Sequence, residues 1–163
     1  MKSKDLNHFV SVYKKALDQG DIQVAYTELV KYVQTLKTQF SKELKPNLSC
    51  GNIFQGYMDY TYFYLSNDYL NQLKLKFGLV LNHEKMQFEL WLLGQTKDVQ
   101  EKYWNLLKKT KWIKQVDMPQ YSIFEVVLVD KPDLNNLDAL TQKIKKTLLI
   151  KSKDIITTLK SMK

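Results

Sequence analysis

A chain of 163 residues, 44% hydrophobic and 26% charged, has the size and composition of one soluble globular domain, 1–163, with enough apolar residues for a substantial core. No apolar run approaches the ~18 residues of a membrane span, and the opening MKSKDLNHFVSVYKK lacks the apolar stretch and small-residue cleavage site of a leader peptide. With Cys50 as the single cysteine, no internal disulfide can form, and the expectation is a cytoplasmic protein without a membrane segment.

The net charge of +8 raises nucleic acid as a partner, yet every one of the 25 basic residues is a lysine. Arginine supplies the planar fork for bidentate contacts to guanine and phosphate, so its absence argues against direct base readout. Lys131–Lys163 holds eight lysines against three aspartates. A solvated face is the plainer account of that excess, and an anion-binding patch the alternative.

In chain order, Leu6, Phe9, Val10, Tyr13 and Leu17 recur at helical spacing over Asp5–Gln19, with Gly20 as a C-terminal stop. Asp21 is expected to cap a longer helix whose stripe is Ile22, Ala25, Tyr26, Leu29, Val33, Leu36 and Phe40, ended by Lys45-Pro46-Asn47. The two form a helical hairpin, and both stripes need a surface to cover. Leu48–Gln55 reads as a loop pivoting on Gly51 and Gly56. The aromatic-rich Gly56–Leu65 reads as a strand, left as a possible sheet edge open to pairing between subunits. Tyr69–Gln72 is one helical turn.

Leu73–Gly94 alternates apolar and polar residues, breaks at Asn82-His83-Glu84-Lys85, and alternates again, the pattern of a half-buried β-hairpin. Pairing Leu81 with Met86 puts Leu73, Leu75, Phe77, Leu79 and Leu81 on one side with Met86, Phe88, Leu90 and Leu92. The reverse side is chemically mixed: Lys74, Lys76, Gly78 and Val80 beside Gln87, Glu89, Trp91 and Leu93. In this register Lys76 lies across from Trp91 and diagonal to Glu89.

Thr96 can cap a helix over Lys97–Lys109 with Val99, Tyr103, Leu106 and Leu107 inward. Tyr121–Val129 is apolar on both parities, as in a strand covered on both faces. A final helix runs from Leu134 to Lys160, with an interruption allowed near Ile150 and Leu137, Leu140, Ile144, Leu148, Ile155 and Leu159 inward. The order α-α-β-β-β-α-β-α predicts an α+β fold: a four-stranded, mostly antiparallel sheet with helices packed on it.

Two stretches, GNIFQGYMDYTYF (Gly51–Phe63) and LNHEKMQFELWLLGQTKDVQEKYW (Leu81–Trp104), together with the earlier YKKALDQGDIQVAYTELVKYV, resemble an uncharacterised family of small bacterial proteins known as a domain of unknown function. The resemblance covers most of the chain. It implies a single domain and, since the family has no assigned activity, supplies no catalytic residues to carry over. From the hairpin onward the element order also resembles accessory domains of nuclease-associated proteins, an analogy of order alone.

The catalytic patterns are incomplete. A metal-dependent nuclease would use Asp59 and Glu89 to hold Mg²⁺, with a lysine two residues after the second acid. That position is Trp91, so both acids read as ordinary sheet residues. Cys50 lies in a loop with no feature that would lower its pKa, and His8, His83 and Cys50 make no zinc spacing. No phosphate-cradling glycine loop can be written, and no cofactor or metal is expected. What remains is aromatic and polar: Gln55, Tyr57, Asp59, Tyr60 and Tyr62 on one strand, Lys76, Gln87, Glu89 and Trp91 on the hairpin, and Gln95, Trp104 and Trp112 beyond it. Ordinary core aromatics are the plainer account, and a ligand, peptide or protein-binding face the functional one. The functional reading is a non-enzymatic binding module with candidate residues Gln55, Tyr57, Asp59, Tyr62, Lys76, Gln87, Glu89 and Trp91. The alternatives are nucleic-acid binding through Lys143, Lys145 and Lys146, and a degenerate nuclease. Oligomeric state stays open.

Overall fold

The computed structural model describes residues 5–162. Met1–Lys4 and Lys163, on which part of the leader-peptide expectation and the last of the counted lysines fall, lie outside the described residues. Within them the order is α1 (Leu6–Gln19), α2 (Asp21–Glu43), β1 (Ser49–Phe54), β2 (Tyr60–Ser66), α3 (Asp68–Gln72), β3 (Leu75–Asn82), β4 (Gln87–Gly94), α4 (Lys97–Leu107), β5 (Phe124–Val129) and α5 (Leu137–Ser161). The fold is α+β with an antiparallel sheet as expected, but the sheet has five strands rather than four, in the order β1-β2-β3-β4-β5.

The additional strand is the segment expected as a loop. Cys50 pairs with Leu65, Ile53 with Phe63 and Phe54 with Tyr62, with a bulge between Cys50 and Ile53. Gly51 is part of this strand and lies against Tyr64, whose Cβ would be 3.5 Å from a Cβ placed at Gly51. β1 therefore covers the outer side of β2, and Gly56–Leu65 is not a sheet edge. β2 itself begins at Tyr60, because Gly56–Asp59 forms a turn with positive φ at Gly56 (72°) and Met58 (59°).

The hairpin has the expected phase and a different register. Leu81 pairs with Phe88 and Asn82 with Gln87, so Lys76 faces Leu93, Gly78 faces Trp91 and Val80 faces Glu89. Alternation fixes which face a residue takes, whereas the number of residues in the turn fixes the partner. Asn82 extends β3 by one residue, and its Oδ1 accepts the Lys85 N–H at 3.1 Å inside the turn.

Phe63, Leu65, Phe77, Leu79, Leu81, Phe88, Leu90 and Leu92 form the inner face of the sheet. They share one core with Leu36 and Phe40 of α2, Tyr103 and Leu107 of α4, and Ile144, Leu148 and Ile155 of α5. Two polar links join α2 to α5 over this face: Tyr32 Oη and Thr141 Oγ1 at 3.0 Å, and Lys145 Nζ to Glu43 at 2.6 Å. α5 runs without interruption, and its first-turn Leu137 is exposed, as is Leu106 on α4. β5 is not covered on both faces, since Val127 is 47% exposed. Asp5 caps α1 and Gly20, at φ 81°, ends it. Gly20 is also the N-cap of α2, so Asp21 is a first-turn acid and not the cap. No residue of α1 is buried: Leu6, Phe9, Val10 and Tyr13 of its apolar stripe stay exposed, and Leu17 is half-buried where α1 meets α2.

Candidate functional site

With the helices gathered on the inner face, the outer face of the sheet carries Tyr60, Tyr62 and Tyr64 from β2, Lys76, Gly78 and Val80 from β3, Glu89, Trp91 and Leu93 from β4, and Glu125 and Val127 from β5. Gly78 pairs with Tyr64 on one side and Trp91 on the other. With no side chain there, a trough opens between the two aromatic rows. A Cβ at that position would lie 3.2 Å from Leu93 Cδ1 and 3.9 Å from Trp91 Cβ. The trough is the floor of a cavity of about 380 Å³ walled by Asp59, Tyr60, Tyr62, Tyr64, Trp91 and Tyr121.

The rings are set in a corner. Trp91 lies 4.9 Å from Tyr60 at 69°, and Tyr121 lies 6.4 Å from Tyr60 at 72°. Farther along, Phe54 stacks on Tyr62 at 5.0 Å, and the Lys76 ammonium sits 3.5 Å from the centre of the Tyr64 ring. Burial pushes the Tyr64 hydroxyl up to about 12, with Tyr62 adding to the effect, and lowers the pKa of Lys76. Burial also raises the Tyr60 hydroxyl, followed by the charges of Glu125, Glu89, Glu84 and Asp59.

Behind Trp91 lies Glu89, 1% exposed. Its Oε2 accepts the indole Nε1–H at 2.7 Å, and its Oε1 accepts from Asn82 Nδ2 at 3.3 Å and from Gln87 Nε2. The Asn82 amide is oriented independently, because its oxygen is taken by the Lys85 N–H. Both Glu89 oxygens therefore act as acceptors of N–H groups. Glu125, on the next strand, pairs with Trp91 and accepts from Ser122 Oγ at 3.0 Å. Burial raises its pKa first; Ser122 and Lys85 act against that, and Glu89 adds to it.

The turn at one end of the cavity is tied down on every side. Asp59 Oδ1 accepts the Tyr57 and Tyr60 N–H groups, both at 2.7 Å, which holds its carboxyl below the usual range. Tyr26 of α2 donates to the carbonyls of Gln55 and Gly56, each at 3.1 Å. Thr61 Oγ1 donates to the Gln55 carbonyl at 2.7 Å and lies 2.7 Å from His83 Nε2. Because the single hydroxyl proton is spent on that carbonyl, His83 Nε2 must carry the proton in the second bond. Burial lowers the His83 pKa, with Asp59 pulling the other way.

Of the residues singled out from sequence, Asp59, Tyr62 and Trp91 wall the cavity, and Lys76 reaches it through Tyr64. Glu89 and Gln87 stand behind Trp91 rather than in the opening. Gln55 contributes its carbonyl to the turn, and Tyr57, 93% exposed, projects into solvent. The expected diagonal between Lys76 and Glu89 does not form, because the register moves Glu89 to Val80. Tyr64, Gly78, Val80 and Tyr121 were not among the candidates. Trp112 belongs to the inner side, stacked on Phe124 with its Nε1–H donated to Thr158. Cys50 is half-buried on β1, and burial pushes its thiol up.

Both Glu89 oxygens are taken by N–H donors and Asp59 Oδ1 by the turn, so the two acids do not present a shared metal ligand set. Among the described residues no group of three or more His, Cys, Asp or Glu is placed to hold a metal ion. Lys145 is committed to Glu43, leaving Lys143 and Lys146 as the exposed members of the proposed nucleic-acid set. No described helix is long and apolar enough to cross a membrane.

A family model described as a domain of unknown function (DUF7000) matches residues 6–159. The chain belongs to that family. The DUF7000 match runs from the first residue of α1 to within α5, so it takes in the helical hairpin, the whole sheet and both walls of the cavity. No curated protein and no solved structure matches the chain.

Proposed function

We propose that this DUF7000 chain is a binding module, a single domain without catalytic chemistry of its own, whose ligand enters the cleft over Gly78 and Val80. The observation that carries the reading is an aromatic-walled cavity of about 380 Å³ on the sheet face that no helix covers. Cavities of this size, apolar with a few oriented polar groups, are the usual form of a small-molecule site. Four aromatic side chains (Tyr60, Tyr62, Tyr64 and Trp91) are spent on this outer face, although the core lies on the other side of the sheet.

The test uses a substitution that closes the trough without touching the polar network. Gly78→Val adds three carbons between Tyr64 and Trp91 at a position whose nearest neighbour is the flexible end of Leu93, and valine favours a strand. The uncharged dye Nile red, which brightens in apolar sites, should bind the parent chain and lose most of that signal in Gly78→Val. An unchanged signal in a folded Gly78→Val chain would place the dye elsewhere and remove the reading. Trp91→Ala and Asp59→Ala are poorer tests, since the first strips a donor from Glu89 and the second releases the turn.

A further inference from the structure

The outer face gathers negative charge in a chain of net charge +8. Glu89 and Glu125 lie on adjacent strands on either side of the Trp91 position, and neither forms an ion pair with a described lysine. All three donors to Glu89 are neutral N–H groups. A carboxylate kept this far from water without a cation is expensive. Beside it stands the aromatic corner, with Trp91 and Tyr121 turned 69° and 72° from the Tyr60 ring. All three rings line the cavity, and the negative face of an aromatic π-system attracts a positive group.

We propose that the corner between Tyr60, Trp91 and Tyr121 holds the methylated ammonium group of an organic cation, with Glu89 behind the indole and Glu125 beside it as counter-charge. This rests on the cleft being a ligand site and names the class of ligand. Three features favour a methylated head over a bare ammonium or a metal ion. Both Glu89 oxygens are already occupied by N–H donors, so Glu89 offers the corner its charge and no free acceptor for a cation that must hydrogen-bond. The indole Nε1–H bond to Glu89 pushes electron density into the Trp91 ring, which strengthens its pull on a cation. On the same face the chain already seats one of its own ammonium groups 3.5 Å from the centre of Tyr64, so a tyrosine of this surface accepts a cation in the way the corner is proposed to.

The test compares choline with 3,3-dimethylbutan-1-ol, which has the same shape and no charge, by isothermal titration calorimetry and by ligand-observed NMR. Choline should bind the parent chain at least about tenfold more tightly than the neutral isostere. Tyr121→Ala, at an exposed position, should weaken choline about tenfold, and Glu125→Gln should weaken it several-fold while leaving the isostere unchanged. Equal binding of the two ligands, or no choline binding at concentrations where Nile red still reports a Gly78-dependent site, overturns the cation assignment and leaves the cleft reading standing. Loss of the Nile red response as well would overturn both.

Discussion

Removing the Glu89 carboxylate should cost more than its charge alone would suggest, and the hydrogen bonds set the scale. In Glu89→Ala the indole N–H of Trp91, 5% exposed, and the amide of Asn82, 3% exposed, lose their acceptor, while half-buried Gln87 can turn to water. Each fully orphaned donor costs about 1–3 kcal/mol, and losing the side chain's own packing adds roughly 1 kcal/mol. Relief from burying a charge offsets part of this, leaving a net loss of about 3 kcal/mol. Glu89→Gln preserves the shape but supplies one oxygen and one NH₂ group. Whichever way the amide turns, its NH₂ meets N–H donors, either Trp91 or the pair Asn82 and Gln87, for about 1–2 kcal/mol. The measurement is thermal unfolding followed by tryptophan fluorescence, and a chain of this length should lose about 2–4 °C in Tm per kcal/mol. Glu89→Gln as stable as the parent, or less stable than Glu89→Ala, would mean that the three donors are satisfied in some other way and that the network has been misread.

Substituting Glu125 should stabilise where substituting Glu89 destabilises, and the effect should depend on pH. Its folded pKa is raised, with burial as the first cause, so in the interval above the unfolded carboxylate pKa of about 4.3 the folded state binds more protons than the unfolded one. Stability then falls as pH climbs through that interval. Glu125→Gln should therefore raise Tm at neutral pH and converge with the parent under acid conditions; a difference independent of pH would refute this. Gly56→Ala places a Cβ into the Tyr60 carbonyl oxygen and beside Asp59 Oδ1, at a φ of 72° that L residues avoid. It should lose about 2 kcal/mol or more, read as a lowered urea midpoint, and a neutral result would mean that the Gly56–Asp59 turn is built differently.

What could be read from the residues alone follows from which physical signals are local. Strict alternation through Leu75–Leu81 and Phe88–Leu92 settles the phase of the hairpin, because a one-residue slip would turn every leucine to solvent. The same alternation is blind to a shift of two, so the partners of Lys76, Gly78 and Glu89 were displaced. β1 gave little signal: Ser-Cys-Gly-Asn-Ile-Phe carries one β-branched residue and a glycine, and its strand character comes from the open side of β2. Gly78 was visible as a glycine inside a strand, but its meaning depends on Tyr64 and Trp91 flanking it, which only the register supplies. Tyr121 had no signal at all. It stands before β5 and reaches the Tyr60 corner through the path of the 108–123 connection.

Net charge is a poor guide to this site because the sheet separates two surfaces. α5 alone carries six lysines, Lys143, Lys145, Lys146, Lys151, Lys153 and Lys160, and it packs on the inner face of the sheet. The cleft opens on the other face, where Asp59, Glu89 and Glu125 surround the aromatic corner and Lys76 is turned onto Tyr64. An anionic partner drawn by the overall charge would meet α5, whereas a ligand entering the cleft meets π-faces and the Asp59 carboxylate, with the charges of Glu89 and Glu125 acting at Tyr60. The two surfaces therefore predict different sensitivities to salt. Binding through exposed lysines such as Lys143 and Lys146 should weaken steeply as counterions compete. A cation in the part-buried corner should respond only weakly, because burial shortens the reach of screening. Measuring both on the same chain separates the contribution of composition from that of the fold.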